Sequence, residues 1–258
     1  MYPIDLEGKT AVVFGVANHR SIAWAVAKIL HQAGAKLAIA YQNERVRDTV
    51  TKLVESWEDV LLLECDVTSD ANVEKAYDQL NNEFGRLDTI IHSVAFANKD
   101  DLGGPFLNTG REGFRLALDV SAYSLVPVCR YGAPMMAPDG GNIVTMTFQA
   151  SSRVFPGYNV MGTAKAALEN EVKQIASDLG EDGIRINAIS AGPLDTLSSR
   201  AISRYRDMKK VHEERSPMKR NITVDEVAKT ALYLCSDLAS GVTGEIIHVD
   251  TGYNVMGL

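Results

Sequence analysis

The sequence predicts a doubly wound α/β fold, in which helices cover both faces of a mostly parallel, seven-stranded sheet. Short, mostly apolar and β-rich runs, as is typical of parallel strands buried on both faces, alternate with longer segments of helical periodicity. No linker interrupts this alternation, so we expect one domain over residues 1–258. The expected strands are Ala11–Phe14, Leu37–Tyr41, Val60–Cys65, Thr89–His92, Asn142–Met146, Arg185–Ile189 and Glu245–Val249.

Helical periodicity is found between most of these strands, and glycines punctuate several of the boundaries. The resulting order of elements is that of a Rossmann-type sheet, whose ligands lie outside the carboxyl ends of the strands. Functional residues are therefore expected directly after the strands. The expected helices are Ser21–Gln32, Asn72–Phe84, Glu112–Met136, Val160–Leu179 and Val224–Ser236.

The composition argues against several classes of partner. A net charge of -7 disfavours nucleic-acid binding, which needs a basic surface. The sequence has no apolar run of transmembrane length, and residues 1–10 lack the basic and apolar regions of a signal peptide. The histidines and the widely spaced cysteines form no metal-binding or redox pattern. We therefore expect a cytoplasmic protein with reduced thiols and no metal.

The turn after the first strand is a candidate pyrophosphate site, although it lacks the usual G-x-G-x-x-G pattern. Gly15 can form the tight turn, and Ser21 and Ile22 open the next helix, whose first amides would face the pyrophosphate of a dinucleotide. One glycine is weak evidence by itself, because an ordinary strand-to-helix loop also contains one. The residues that follow the next strands add support.

Three further positions fit a dinucleotide. Gln42 follows the second strand, where many NAD enzymes place an acidic residue for the ribose hydroxyls. Asp66 and Val67 follow the third strand, where a carboxylate or a backbone group can bond the adenine ring. Val94 lies in the small-residue segment after the fourth strand, which allows a cofactor to approach closely.

Tyr158 and Lys165 are the candidate catalytic pair. If their segment is helical, a separation of seven residues is about two turns, so both side chains leave the same face. A nearby ammonium group stabilises a phenolate and lowers the pKa of the phenol toward a useful range. The same spacing also occurs on ordinary amphipathic helices, so the rest of the chain has to decide between the two readings.

Together these residues resemble the short-chain dehydrogenase/reductase superfamily, and within it the enoyl-[acyl-carrier-protein] reductases of bacterial fatty-acid synthesis. The resemblance covers essentially the whole chain. The parts most specific to the reductases are the modified glycine loop, the Ser-Ala-Tyr-Ser segment and the lead into the lysine. These segments are Gly15–Ile22, Ser121–Ser124 and Tyr158–Lys165.

The resemblance implies reduction of the trans-2 double bond of an enoyl thioester, carried by acyl carrier protein, with NADH as the reductant. Tyr158 would stabilise the negative charge that develops on the thioester oxygen, and Lys165 would hold the nicotinamide ribose. Leu194 would contact the carboxamide through its backbone, and Ala97 would line the thioester end of the substrate site. NADPH is less expected, because the neutral Gln42 follows the second strand and no arginine lies directly after the strand to bind a 2′-phosphate.

The chain departs from the family pattern at Phe148. Many members carry a second tyrosine at this position, ten residues before the catalytic one, and phenylalanine cannot donate a proton. The mycobacterial long-chain members also have phenylalanine here, so a role in substrate binding remains compatible with enoyl reduction. Thr145 lies where carbonyl-reducing members of the superfamily carry a catalytic serine.

The segment 195–220 is expected to be a lid over the substrate. It interleaves apolar side chains with Arg200, Arg204, Arg206, Lys209 and Lys210, and a basic face could receive the acidic carrier protein. A charged surface helix is the alternative. The family likeness and the apolar surface of the long helices also lead us to expect a homotetramer.

Two other functions remain open from the sequence. One is a carbonyl or 3-ketoacyl-thioester reductase of the same superfamily, which Thr145 and the altered glycine loop disfavour. The other is a non-catalytic dinucleotide-binding scaffold, which the pair of Tyr158 and Lys165 disfavours.

Overall fold

Seven parallel strands form the centre of the molecule. The structure is a computed structural model that describes residues 4–136, 139–197, 199, 202 and 205–257. In the sheet order β3-β2-β1-β4-β5-β6-β7, each pair of neighbouring strands is parallel, as predicted for most of the sheet. The strands are β1 Thr10–Phe14, β2 Lys36–Tyr41, β3 Leu61–Glu64, β4 Thr89–His92, β5 Gly141–Thr147, β6 Ile184–Ala191 and β7 Ile246–Val249.

Helices cover both faces of this sheet. Because side chains alternate along a strand, Val13 of β1 packs in one layer and Val12 packs in the other. The layer with Val13 contains α1 and α8, and the layer with Val12 contains α3, α5 and α6. The described helices are α1 Ile22–Gln32, α2 Glu44–Val54, α3 Asp70–Phe84, α4 Arg111–Leu118, α5 Leu125–Met136, α6 Val160–Leu179, α7 Tyr205–Arg215 and α8 Val224–Leu234.

The prediction of one continuous helix over Glu112–Met136 is wrong. A π-helical segment, Asp119–Tyr123, separates α4 from α5. Ser121 and Ser124, both fully buried, hold this segment through side-chain hydrogen bonds to residues outside it. Apolar periodicity alone does not reveal such a break, because the buried face continues across it.

The α2 helix was not among the predicted helices, although its start has a recognisable signal. The side chain of Asn43 accepts a hydrogen bond from the backbone N–H of Val46 and so caps the helix directly after β2. The cap fixes where the chain turns away from the sheet. It therefore positions Gln42 at the carboxyl end of β2.

None of the described helices has both the length and the apolar character needed to cross a bilayer. The described residues also contain no group of three or more histidine, cysteine or acidic side chains arranged to hold a metal ion.

Candidate active site

A cleft of about 570 Å³ opens at the carboxyl ends of the central strands, where the doubly wound fold places a ligand. It extends from the ends of β2 and β3, past the β1–α1 turn, to the region beneath α7. Nearly all of the site residues predicted from the sequence line it. They are Gly15, Ser21, Ile22, Gln42, Asp66, Val67, Val94, Phe148, Tyr158, Lys165 and Leu194.

Ala97 is the one predicted site residue that does not line this cleft. It packs, together with Tyr158, against a small apolar cluster formed by Ala117, Val160 and Met161. Ala97 therefore supports the wall behind the phenol ring.

The β1–α1 turn requires a glycine at position 15. Gly15 has φ +98°, and a Cβ atom there would lie 2.1 Å from the carbonyl oxygen of Ser93 in the loop after β4. The absence of a side chain thus allows the two loops to pack against each other. Their contact forms the floor of the cleft between its two ends.

The first turn of α1 leaves donors available to an anion. The Ser21 hydroxyl donates to the carbonyl oxygen of Asn18 at 2.6 Å, so the Ser21 side chain does not cap the helix. Because the first N–H groups of a helix have no partner within it, a negatively charged group at this end is favoured. Ser21 and Ile22 line the cleft, and because the Ser21 N–H also donates to the Asn18 carbonyl oxygen at 3.1 Å, the N–H of Ile22 is the donor here that fits a pyrophosphate group.

The far end of the cleft is neutral on the β2 side. Tyr41, Gln42 and Val46 line it there, and no arginine or lysine of α2 is among the lining residues. On the β3 side, one oxygen of the Asp66 carboxylate accepts hydrogen bonds from the backbone and the hydroxyl of Thr68. Val67 lies beside it.

Lys165 lies at the centre of the cleft, on the second turn of α6. Its side chain is 4% exposed and its Nζ donates to the carbonyl oxygen of Met146 at 2.8 Å. Burial lowers the pKa of Lys165 to about 8, against an opposing effect of Glu169. No other described residue accepts a hydrogen bond from this ammonium, so its remaining donors fit the hydroxyls of a ribose.

Tyr158 is not on the helix, contrary to the assumption behind the two-turn spacing. The α6 helix begins at Val160, and Asn159 turns the chain between the two with φ 39° and ψ -120°. Tyr158 and Lys165 nevertheless line the same cleft. The phenol therefore reaches the cleft because the chain turns at Asn159, and not because Tyr158 and Lys165 share one face of a helix.

The expectation that a neighbouring ammonium lowers the pKa of Tyr158 is also wrong. Burial raises the pKa of the phenol well above its usual value, and the nearby Tyr205 adds to the rise. Tyr158 is therefore neutral at physiological pH. It can donate a hydrogen bond but cannot serve as a phenolate.

Phe148 packs against the phenol ring. The ring centroids of Phe148 and Tyr158 are 4.9 Å apart with an interplanar angle of 49°, and the ring centroid of Phe155 is 4.7 Å from that of Phe148. Phe148 therefore fixes the orientation of Tyr158 while leaving its hydroxyl free for a ligand.

Thr145 does not reach the cleft. Its side chain is fully buried, its hydroxyl donates to the carbonyl oxygen of His92 at 3.0 Å, and it lies 2.9 Å from His92 Nδ1. Burial, and then the charge of Lys165, lower the pKa of His92 to about 3, so the imidazole is neutral. Thr145 is consequently unable to replace the catalytic serine of carbonyl-reducing enzymes.

Sequence reasoning missed a set of buried polar residues behind the site. Ser121 accepts a hydrogen bond from the Phe96 N–H at 2.9 Å and donates to the Phe96 carbonyl oxygen at 3.0 Å. His92 Nε2 lies 2.9 Å from the hydroxyl of Ser124. The Ser-Ala-Tyr-Ser segment was the available signal, because serines inside an apolar helical pattern need partners.

Apolar residues of α7 and of the segment before it line the end of the cleft beyond β6. Leu197, Ile202, Tyr205 and Met208 line the cleft, and the Tyr205 hydroxyl donates to the carbonyl oxygen of Leu194. This contact joins the expected lid to the loop after β6.

The basic residues of the lid differ in their surroundings. Arg206 and Lys210 are exposed, with Lys210 Nζ 3.8 Å from Glu214, whereas Lys209 forms an ion pair with Asp195 at 2.5 Å. Arg200 and Arg204 lie outside the described residues. Only part of the predicted basic face can therefore be located.

The fold and the cleft define a dinucleotide-binding oxidoreductase of the short-chain dehydrogenase/reductase type. The family model described as "Enoyl-(Acyl carrier protein) reductase" matches residues 15–254. The chain belongs to this enoyl-(acyl carrier protein) reductase family.

Similar proteins match this chain over nearly its full length. The chain is 49% identical to enoyl-[acyl-carrier-protein] reductase [NADH] FabI of Bacillus cereus, over 98% of this chain and 99% of that protein. It is also 49% identical to the [NADPH] enzyme of Staphylococcus aureus MRSA252, over 98% and 99% of the two chains. A crystal structure of the Bacillus cereus reductase with NADP+ and indole naphthyridinone has a TM-score of 0.96 and covers 98% of this chain and 100% of that one.

Proposed function

We propose that this protein reduces the trans-2 double bond of enoyl-acyl-carrier-protein thioesters with NADH, in the cytoplasmic type II fatty-acid synthesis of bacteria. The observation that carries the proposal is that the neutral Tyr158 and the buried Lys165 line the same cleft, which Thr145 does not reach. This arrangement favours a reaction in which the site stabilises a negatively charged oxygen, over carbonyl reduction, in which an acid protonates the carbonyl oxygen.

Each cleft residue has a task in this reaction. Tyr158 would donate a hydrogen bond from its hydroxyl to the thioester oxygen as negative charge develops there. Phe148 keeps the phenol ring in place for that contact. NADH supplies the hydride that forms the new C–H bond at the β-carbon. A proton that comes from solvent then adds to the α-carbon and completes the saturated acyl chain.

Residues in four parts of the cleft would hold the cofactor. Lys165 would donate to the nicotinamide ribose hydroxyls, and the N–H of Ile22 in the first turn of α1 would face the pyrophosphate, since the Ser21 N–H is bonded to the Asn18 carbonyl oxygen. The carbonyl oxygen of Leu194 accepts a hydrogen bond from Tyr205, so the Leu194 N–H is the backbone group that would bind the carboxamide. Gln42, Asp66 and Val67 surround the adenosine end, where Asp66 keeps a free carboxylate oxygen.

A substrate panel tests the proposed reaction. With trans-2-enoyl thioesters of several lengths, NADH oxidation should give the saturated thioester as product. With a 3-ketoacyl thioester, kcat/KM should be at least a hundredfold lower, because Thr145, at the position of the catalytic serine of carbonyl-reducing enzymes, is buried and does not line the cleft. No NADH oxidation with any thioester would instead favour a non-catalytic dinucleotide-binding scaffold.

NADH should be preferred over NADPH in the same assay. The 2′-phosphate of NADPH needs a basic partner, and the cleft after β2 is lined by Tyr41, Gln42 and Val46. The existence of relatives named for either cofactor makes this a real test. A higher kcat/KM with NADPH would overturn the preference.

Exposed basic residues of α7 should receive the acidic acyl carrier protein. Arg206→Glu with Lys210→Glu should raise the KM for carrier-linked substrate several-fold, because the charge attraction is reversed. The KM for a short coenzyme-A thioester should change much less. Lys75→Glu on α3, another exposed site, is the matched control and should leave both values unchanged. Equal effects of the double variant on both substrates would rule out docking at this face.

We also propose a homotetramer with two-fold axes. Phe114 of α4 and Tyr123 of the π-helical segment are large side chains left partly exposed on the outer side, at 36% and 45%. Light scattering at micromolar concentration should give four times the chain mass. A monomer mass at this concentration would refute the assembly.

A further inference from the structure

Asn159 has an unusual backbone conformation next to the proposed catalytic tyrosine. Its φ of 39° and ψ of -120° lie in a strained region that residues other than glycine rarely occupy. It occupies the N-cap position of α6, yet its side chain makes no capping hydrogen bond. Something other than helix capping therefore holds this side chain.

The side chain instead binds a segment distant in the sequence. Asn159 Nδ2 donates to the carbonyl oxygens of Gly103 at 2.7 Å and Gly104 at 3.3 Å. These glycines belong to residues 98–108, which connect β4 to α4, and both have positive φ, 87° and 63°. A single amide thus ties the turn that carries Tyr158 to the middle of this connection.

The tied segment also contacts the substrate end of the site. Leu102, which directly precedes Gly103, packs in the same apolar cluster as Ala95, Ala97 and Tyr158. Asp101, which directly precedes Leu102, packs against Gly113 of α4, since a Cβ atom on that glycine would lie 2.0 Å from Asp101 Oδ2. Leu102 is therefore held between one anchor on α4 and one on Asn159.

We propose that Asn159 is a positioning residue, which holds residues 98–104 against the Tyr158 ring and so sets the shape of the wall at the thioester end of the cleft. This inference rests on the proposed function, because the substrate it affects is the enoyl thioester. Asn159 acts through Leu102 and Tyr158 and does not touch the reacting atoms.

Two substitutions separate the hydrogen bonds from the backbone strain. Asn159→Gly accepts the backbone conformation but loses the side chain, so kcat/KM for the enoyl thioester should fall roughly tenfold while the Kd for NADH stays unchanged. Asp59→Gly is the matched control, since Asp59 also has a positive φ of 57° and is exposed away from the cleft. It should leave both constants unchanged.

Asn159→Asp keeps the shape of the side chain but replaces the amide donor with a carboxylate oxygen, which accepts hydrogen bonds. An ionised carboxylate facing two carbonyl oxygens cannot donate, so kcat/KM should fall roughly 100-fold at about pH 8. A protonated carboxyl group can donate again. The ratio of variant to parent kcat/KM should therefore rise as the pH is lowered toward about 5.5, since the two carbonyls raise the pKa of the new acid above its ordinary value.

Hydrogen exchange tests the same tether without any substrate. The amides of residues 98–104 should exchange at least tenfold faster in Asn159→Gly than in the parent, and Asp59→Gly should match the parent. Unchanged exchange in that segment, kcat/KM within twofold of the parent for both variants, or no pH-dependent recovery in Asn159→Asp would each overturn the inference. A parent protein without enoyl reductase activity would refute the proposed function and leave the exchange result to decide on the tether.

Discussion

Tyr158→Phe is expected to lower the turnover of the enoyl thioester by roughly ten- to a thousandfold, the effect of removing one donor to a developing oxyanion. The substitution deletes only the hydroxyl and keeps the ring packed against Phe148. The Kd for NADH should change little, because the proposed cofactor contacts come from other residues. Single-turnover kinetics is the appropriate measurement, since it isolates the chemical step.

The control for this prediction removes a hydroxyl elsewhere. Tyr77 on α3 has a buried hydroxyl without a hydrogen-bond partner among the described residues, so Tyr77→Phe should leave turnover unchanged and keep or raise stability. In the parent, ionisation of Tyr158 should cause no change in turnover up to about pH 9, because burial holds the pKa of the phenol above its ordinary value. Unaltered single-turnover rates in Tyr158→Phe would remove this residue from the mechanism.

Lys165→Ala should weaken NADH binding by about 10- to 150-fold, the range for a lost hydrogen bond from a charged group. Lys165→Arg should be milder, although the planar guanidinium group does not reproduce the geometry of an ammonium. Calorimetry measures both. Lys173→Ala, which removes an exposed lysine from the same helix, is the matched control and should leave the Kd unchanged.

The affinity for NADH should also depend on pH through Lys165. Burial lowers the pKa of this lysine to about 8, and the protonated form is the one that donates to the ribose. Affinity should therefore fall as the pH rises above about 8, as the ammonium loses its proton. Lys165→Ala should lack this decline. An unchanged Kd in the alanine variant, or the same decline in it, would contradict the proposed ribose contact.

The strands and the location of the cleft could be predicted from the sequence because both follow from local patterns. The run Thr89–His92 has β-branched residues at three of its four positions, and its boundaries in the structure are those predicted. In a parallel sheet, the carboxyl ends of all strands meet on one side, so residues such as Gly15 and Val94 were brought together as expected.

The local geometry of the catalytic pair could not be predicted in the same way. The position of Tyr158 depends on the positive φ of Asn159, which is stabilised by glycines 55 and 56 residues earlier in the chain. The direction of the pKa shift at Tyr158 depends on how many protein atoms surround the phenol, which is a property of the folded state. The inward orientation of Thr145 depends on its partner His92 on the neighbouring strand.

The central claim is that the neutral hydroxyl of Tyr158 stabilises the thioester oxygen while the β-carbon of an enoyl thioester is reduced. Turnover of trans-2-enoyl-acyl carrier protein with NADH deuterated at C4 measures this most directly. The saturated product should carry deuterium at the β-carbon, and the rate of its formation should fall at least tenfold in Tyr158→Phe. A 3-hydroxyacyl product from a ketoacyl thioester, with no saturated product from the enoyl thioester, would contradict the account.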